Sequence, residues 1–442
     1  MAAQYHHSLR FDTDRCTGCM SCMRTCPTAA VRVRKGRAVK LEDRCVDCGE
    51  CIRVCPPVAI LPLTDHLADL SKFERKVAIP SAALYAQFDP DTFPGVIVAA
   101  LKKCGFDDVE RLSPACDAVT AAMELFVREY RGHYPLISSF CPAVVRLVQV
   151  NYPELVDQLL PVVSPREITA RDAKVRIAAE SGLPMDRIGA VYITPCPAKV
   201  VSILEHPGMA KSYLDTAISI SDLFQTLAAA VATIGIPETN MDGGETASGV
   251  GWAFHGGVPR SLPAENTLSV AGLSNVIRIL DDVEKGRLRK YAFIECHGCS
   301  EGCVGGPLTV ENPYVARAKA IKLRERLSAG PIVDWEEVER RYRDGDFLMD
   351  EPLASRPLRP LDEDIARAIT KMKDRDRLFA RLPHIDCGAC GAPTCRAFAE
   401  DVVLGETEES SCVFFYQREL DERIEDLARL SRFHRSRDGG VQ

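Results

Sequence analysis

The residues best equipped for chemistry here are cysteines, nineteen of them in a chain of 442 residues. Residues 16–27 read CTGCMSCMRTCP and residues 45–56 read CVDCGECIRVCP, so one four-cysteine run is repeated in register. Near the middle, ECHGCSEGCVGG (Glu295 to Gly306) packs Cys296, Cys299 and Cys303 among glycines, too short for a packed helix or strand. Near the end, CGACGAPTC is followed by RAFAEDVVLGE, of helical character, and then by Cys412. Thiols spaced this closely form either a disulfide knot or a metal shell. The opening MAAQYHHSLRFDTD has no apolar core of a secretory signal, which points to a reducing, cytoplasmic setting where structural disulfides are rare. The spaced clusters therefore read as metal ligands.

Both amino-terminal runs fit C-x2-C-x2-C-x3-C-P, the pattern of bacterial two-cluster ferredoxins. Three thiolates of one run reach three irons of a cubane, and the fourth cysteine crosses to the other cluster. Cys16, Cys19, Cys22 and Cys55 are thus expected to hold one 4Fe-4S cluster, and Cys45, Cys48, Cys51 and Cys26 the other. Zinc closes at four ligands and leaves half of each run unused. Between the runs, AVRVRKGRAVKL alternates as a small hairpin would. Such a module conducts electrons.

The last cysteines, Cys387, Cys390, Cys395 and Cys412, resemble the small iron–sulfur domain of electron-transfer subunits such as those of Rnf complexes and carbon monoxide dehydrogenase assemblies. That resemblance implies a third 4Fe-4S cluster, with structural zinc as the competing occupant.

Elements must position the central thiols. IGAVYITP, ending just before Cys196, and YAFI, just before Glu295, read as buried strands. A strand tip followed by a loop is where α/β folds gather their sites. Four stretches then line up: KVAIPSAAL (Lys76 to Leu84), ISSFCPAVV (Ile137 to Val145), ITPCPAKV (Ile193 to Val200) and ECHGCSEGCVGGP. Together they resemble the catalytic domain of iron-only (FeFe) hydrogenases, whose signatures run roughly TSCCPxW, PCxxK and CxxxCxxGG. The likeness spans about residues 76–320. It implies that Cys141, Cys196, Cys299 and Cys303 ligate the cubane of an H-cluster. Cys303 then bridges to a two-iron subsite bearing CO and cyanide. Lys199 matches the lysine that hydrogen-bonds a cyanide, Pro80 and Ser81 match a pair lining the pocket, and Trp252 falls at an aromatic pocket position. Cys296, Cys104 and Cys116 are left over and read as packed thiols.

The departures from the family pattern concern protons. Phe140 stands where the family has a cysteine that passes protons to the two-iron subsite. Thr194 and His297 replace methionines, and Arg166 follows Pro165 where glutamine is common. His297 titrates near neutral pH and reads either as a catalytic proton relay or as a plain hydrogen-bonding residue. Together these changes resemble divergent branches thought to sense hydrogen, which often carry a similar carboxy-terminal iron–sulfur domain.

The expected fold class is α/β: a ferredoxin-like two-cluster module (1–75), a hydrogenase-type α/β domain (76–328), a helical, proline-rich linker (329–375) and a small carboxy-terminal iron–sulfur domain with a terminal helix (376–442). In that helix Leu420, Ile424, Leu427 and Leu430 share one side, either packing on a core or joining a partner. The expected function is an iron–sulfur oxidoreductase working on H2 and protons, of low turnover or sensory, with a redox carrier such as ferredoxin and a separate signalling partner. The alternative is an electron-transfer protein holding 4Fe-4S clusters only. A formal net charge of −7 gives no reason to expect nucleic acid, and the most apolar stretch, LFQTLAAAVATIGIP (Leu223 to Pro237), is too short to span a membrane.

Overall fold

Apolar, β-branched segments alternating with helical ones should build parallel sheets, and they do. A computed structural model of the chain describes residues 5–234, 244–258, 266–327, 333–356 and 358–438. The chain divides into two units. The first is Met1–Arg10, Val46–Arg53 and Ile60–Pro357; the second is Phe11–Cys45, Val54–Ala59 and Leu358–Gln442.

In the first unit β1 (Arg75–Pro80), β2 (Asp108–Val109), β3 (Leu136–Ile137), β4 (Ile188–Thr194), β5 (Thr216–Ser219), β6 (Thr267–Ala271) and β7 (Phe293–His297) alternate with helices. They form two parallel sheets, ordered β2-β1-β4-β5 and β6-β7-β3. All seven residues of β4 are buried, as expected of a strand covered on both faces. Ala78 pairs with Val191 across β1 and β4, and Val270 with Cys296 across β6 and β7. Val191, Ile193, Ile218, Leu227 and Phe254 share the largest core cluster, each aliphatic side chain contributing roughly 1.5–3 kcal/mol by leaving water. Proline opens the helices Pro142–Asn151, Pro165–Ser181 and Pro197–Glu205, where its missing N–H costs nothing.

The stretch expected as a linker is anchored to the first unit at two buried points. Residues 328–332 and 357 lie outside the described residues, but the helix Trp335–Arg343 and the turn after it belong to the first unit. Val338 and Phe347 are buried in one cluster with Met123 and Leu160, and Val163 N–H donates to the Phe347 carbonyl at 2.8 Å. These two apolar residues among charges are enough to dock it, while most of the stretch stays exposed. Of the apolar LFQTLAAAVATIGIP stretch, the part up to Ala232 lies in the helix Ile220–Ala232, and Gly235 to Pro237 lie outside the described residues. Among the described residues no helix is long and apolar enough to cross a membrane.

The second unit joins the amino-terminal hairpin, Val31–Arg34 with Arg37–Lys40, to the carboxy-terminal cysteine loop. Val33 N–H donates to the Gly391 carbonyl at 2.9 Å. Arg32, only 2% exposed, donates through Nε to Asp401 at 2.6 Å; Arg34 shares that carboxylate, and Arg44 pairs with Glu400. Asp401 and Glu400 lie on the helix Cys395–Val403, whose first turn is capped by Thr394 Oγ1 accepting from Ala397 N–H at 3.0 Å. The terminal helix, Val413–Asp438, does not bury its apolar side: Leu420, Ile424, Leu427 and Leu430 are all exposed, so a core-packing role is corrected here.

Candidate metal centre

Four thiols of the first unit meet beyond the carboxyl ends of its strands. Cys141 follows β3 and sits at the N-cap of Pro142–Asn151; Cys196 follows β4 and sits at the N-cap of Pro197–Glu205. Strand β7 runs on to His297, further than the apolar run alone implied. The chain then passes Cys299 and turns at Cys303–Gly305. Gly302 makes that turn possible: its φ is +78°, and a Cβ there would stand 2.7 Å from Phe254 Cα. Gly298 N–H approaches Cys141 Sγ at 3.4 Å.

The sulfurs act on one another. Burial raises Cys196 to about 11, and the charges of Cys303 and Cys141 add to the rise while Lys199 opposes it. Cys299 is pushed well up, first by burial and then by Cys196, Cys141 and Cys303. Cys303 goes the other way. Burial would raise it, but the Lys199 ammonium and the His297 side chain outweigh burial and bring it down to about 6. Lys199 Nζ donates to Cys303 Sγ at 3.2 Å, and its own pKa rises because the Cys303 charge overcomes its desolvation. One thiol of the set is therefore a ready thiolate in the metal-free chain, which suits it as a ligand.

A cavity of about 50 Å³ opens beside Cys303, lined among others by Ser81, Phe140, Arg166, Lys199, Trp252 and His297. Pro80 ends β1, and Ser81 N–H donates to the Ile193 carbonyl at 3.2 Å. Phe140 packs edge-on to Trp252, ring centres 4.6 Å apart, and Trp252 Nε1 donates to Thr120 Oγ1 at 3.2 Å. Thr194 turns away from chemistry: its hydroxyl donates to the Cys196 carbonyl at 3.0 Å and stiffens the loop. Cys296 packs among Ile137, Val144 and Leu273. Cys116 is buried beside Tyr192 and Trp252, and Cys104 packs at the edge of the main core.

Sequence reasoning missed Glu295 and Tyr192. Glu295 stands two residues before His297 on β7, the spacing that puts two side chains on one face of a strand, so that signal was readable. His297 Nε2 lies 3.2 Å from Glu295 Oε1, near enough for charge attraction but not aligned as a hydrogen bond. Burial would lower the His297 pKa, yet Glu295 and Cys303 together lift it well above the usual imidazole value. Tyr192 places its ring 5.7 Å from Lys199 Nζ and 5.8 Å from the Arg166 guanidinium.

Part of the second amino-terminal run lies against this centre. Gly49, between Cys48 and Cys51, has φ +79°, and a Cβ there would stand 2.5 Å from Pro307 and 3.0 Å from Pro197. Arg53 donates to the Gly305 carbonyl. Cys45 and Cys26 belong to the second unit. Within that unit Cys22 is raised to about 11 by burial and then by the charges of Cys16, Cys55 and Cys19, so those four sulfurs lie together. Cys387, Cys390, Cys395 and Cys412 line one small cavity, with Cys395 N–H donating to Asp386 at 2.6 Å.

Residues 74–264 and 261–307 match the family described as iron only hydrogenase large subunit, C-terminal domain. Residues 8–56 match a 4Fe-4S dicluster domain, and residues 382–414 a putative Fe-S cluster domain. The chain is 27% identical over 258 residues to iron hydrogenase 1 of Clostridium pasteurianum, covering 48% of this chain and 45% of that protein. It is 25% identical over 198 residues to the NADP-reducing hydrogenase subunit HndD of Solidesulfovibrio fructosivorans, covering 42% of this chain and 30% of that one. It thus spans less than half the length of either relative. An apo variant of the FeFe-hydrogenase HydA1 from Chlamydomonas reinhardtii has the same fold, at a TM-score of 0.51 and 16% identity over 65% of this chain and 98% of that one. With the family match extending over more than half its length, the chain belongs to the iron-only hydrogenase family, as a divergent member with an iron–sulfur domain on either side.

Proposed function

We propose that this protein is an iron–sulfur oxidoreductase that interconverts H2 with two protons and two electrons at an H-cluster-type site, with low turnover or in a sensory role. The convergence of Cys141, Cys196, Cys299 and Cys303, with Lys199 on Cys303, carries this reading. The residues fit the group: four mutually close thiols suit a cubane, and Cys303 faces a cavity where buried Arg166 Nε and His297 Nε2 have no acceptor aligned with them among the described residues. A two-iron subsite bearing anionic ligands would supply the acceptors, and when bound it supplies the Lewis acidity that splits H2. Lys199 holds an ammonium at the bridging thiolate, and Ser81 lines the same cavity.

Low turnover follows from Phe140. Its ring has no exchangeable proton and is wedged against Trp252. Protons then have to use another group, and beside Lys199, which is held on Cys303, His297 also faces both the cavity and Cys303. Electrons reach the site through the Cys48–Cys51 loop, which the Gly49 contact brings against the Cys196 and Cys303 segments. A ferredoxin-like carrier and a separate signalling chain are the partners this reading implies.

The Phe140–Trp252 contact also favours a second reading, in which only 4Fe-4S clusters are present and the protein passes electrons without activating H2. Infrared spectroscopy after co-production with maturation proteins separates the two. CO and cyanide bands, absent from a Cys303→Ser variant, are expected; a matured wild-type protein without those bands rejects the hydrogenase reading in favour of the second.

A further inference from the structure

The cavity holds more buried positive charge than its protein walls answer. Arg166 is 7% exposed and opens the helix Pro165–Ser181, whose amino end, Ser164 to Arg166, lines the cavity. Its Nη2 donates to Ser202 Oγ at 2.6 Å and its Nη1 reaches the Lys199 carbonyl at 3.4 Å, both neutral acceptors. Its buried Nε has no acceptor among the described residues. The neighbouring Glu167 is committed to Ser212 Oγ and Tyr213 N–H at 2.9 Å each. The acid that does line the cavity, Glu295, accepts from Gly256 N–H at 2.6 Å and from Ser269 and stands 3.2 Å from His297 Nε2. The Cys303 thiolate is taken by Lys199. A buried guanidinium without a counter-charge is costly, and a helix amino terminus adds positive potential in the same place.

We propose that Arg166 and the first turn of Pro165–Ser181 form an anion subsite of the cavity, distinct from the Lys199–Cys303 contact, for a small monoanion of the size of cyanide or thiocyanate. The helix dipole adds positive potential there, and because Pro165 has no N–H and the Glu167 and Ile168 N–H groups donate to the Ser164 carbonyl, the directed donor is the unpartnered Arg166 Nε, with a full charge. The subsite deepens the function proposed above and rests on it only for the source of the anion: a ligand carried on iron, or a free ion.

The test uses the full chain with its cubanes assembled but made without maturation proteins, titrated with thiocyanate and followed by the infrared C–N stretch. Saturable binding with a shifted band is expected. Arg166→Gln is expected to weaken it at least tenfold, and Arg166→Lys, which keeps the charge but not the fork, to fall between. Unchanged cubane absorbance shows that the variants are folded. No saturable band in the wild type, or equal binding by wild type and Arg166→Gln, overturns the subsite. Repeating the titration on matured protein identifies the source: loss of thiocyanate binding means that an iron-borne ligand occupies the subsite, and retained binding means a free anion. Missing CO and cyanide bands would reject the hydrogenase reading but leave the thiocyanate result standing, so the two failures are distinguishable.

Discussion

Removing the Lys199 ammonium should release the Cys303 thiolate, and the size of the effect can be worked out. Cys303 stands at about 6 against an ordinary 9.0, a net depression of about 3 units achieved against burial. Lys199 and His297 together must therefore outweigh burial by that margin, and the Lys199 charge is the largest single lowering influence. Lys199→Gln should then raise the Cys303 midpoint by ~1.5 pH units, about half of the net depression. At pH 7 the thiolate fraction falls from roughly 0.9 to roughly 0.25. The assay is alkylation of metal-free protein across pH, read peptide by peptide so that Cys303 is resolved from the other thiols. The same shift fixes a stability window. A group whose pKa is depressed on folding stabilises the fold above its ordinary value, and that stability is lost as pH falls through the folded one. The Cys303 share of the stability of metal-free protein should accordingly fall as pH drops from 9 toward 6, opposed by the raised His297, and Lys199→Gln should show distinctly less of that Cys303 share. A Cys303 alkylation profile with the same midpoint in both proteins would refute the electrostatic account.

Three further outcomes follow from other contacts. Gly49→Ala forces a side chain into a φ of +79° and into Pro307, and should cost about 1–3 kcal/mol in the denaturation midpoint of the cluster-loaded protein; a change under about 0.5 kcal/mol would mean the loops are not tightly apposed. Asp401→Asn leaves buried Arg32 and its neighbour Arg34 facing a neutral group, and should destabilise the second unit by about 3–5 kcal/mol, read as earlier urea-induced bleaching of the iron–sulfur absorbance; an unshifted midpoint would show that the pair contributes no net stability. Phe140→Cys should raise H2/D+ exchange severalfold in matured protein, and unchanged exchange would reject a missing proton donor as the reason for low turnover.

The ligands were legible because thiolate chemistry leaves its mark in local spacing. C-x2-C-x2-C-x3-C-P is fixed by the geometry of a cubane and needs no knowledge of the fold. The parallel strands were legible too, since β4 is buried on both faces and reads as an unbroken apolar run. What escaped was set by partners distant in the chain. Nothing local to Val31–Arg34 says that Arg32 will meet Asp401, so a sequence reading separates two iron–sulfur segments that the fold joins in one unit. Likewise Val338 and Phe347 sit in a stretch whose composition says linker, and only the surface offered by Met123 and Leu160 turns them into core. The site shows the same division. Lys199 was identified from a motif, but its effect on Cys303 depends on a 3.2 Å contact across 104 residues of chain. Arg166 looked like one substitution among several until its buried Nε proved to have no acceptor among the described residues, and an orphaned donor is a property of packing. Spacing along the chain identifies which atoms could bind iron. Which charges surround that iron, and so whether the centre turns over or only registers its ligand, is decided by contacts between segments.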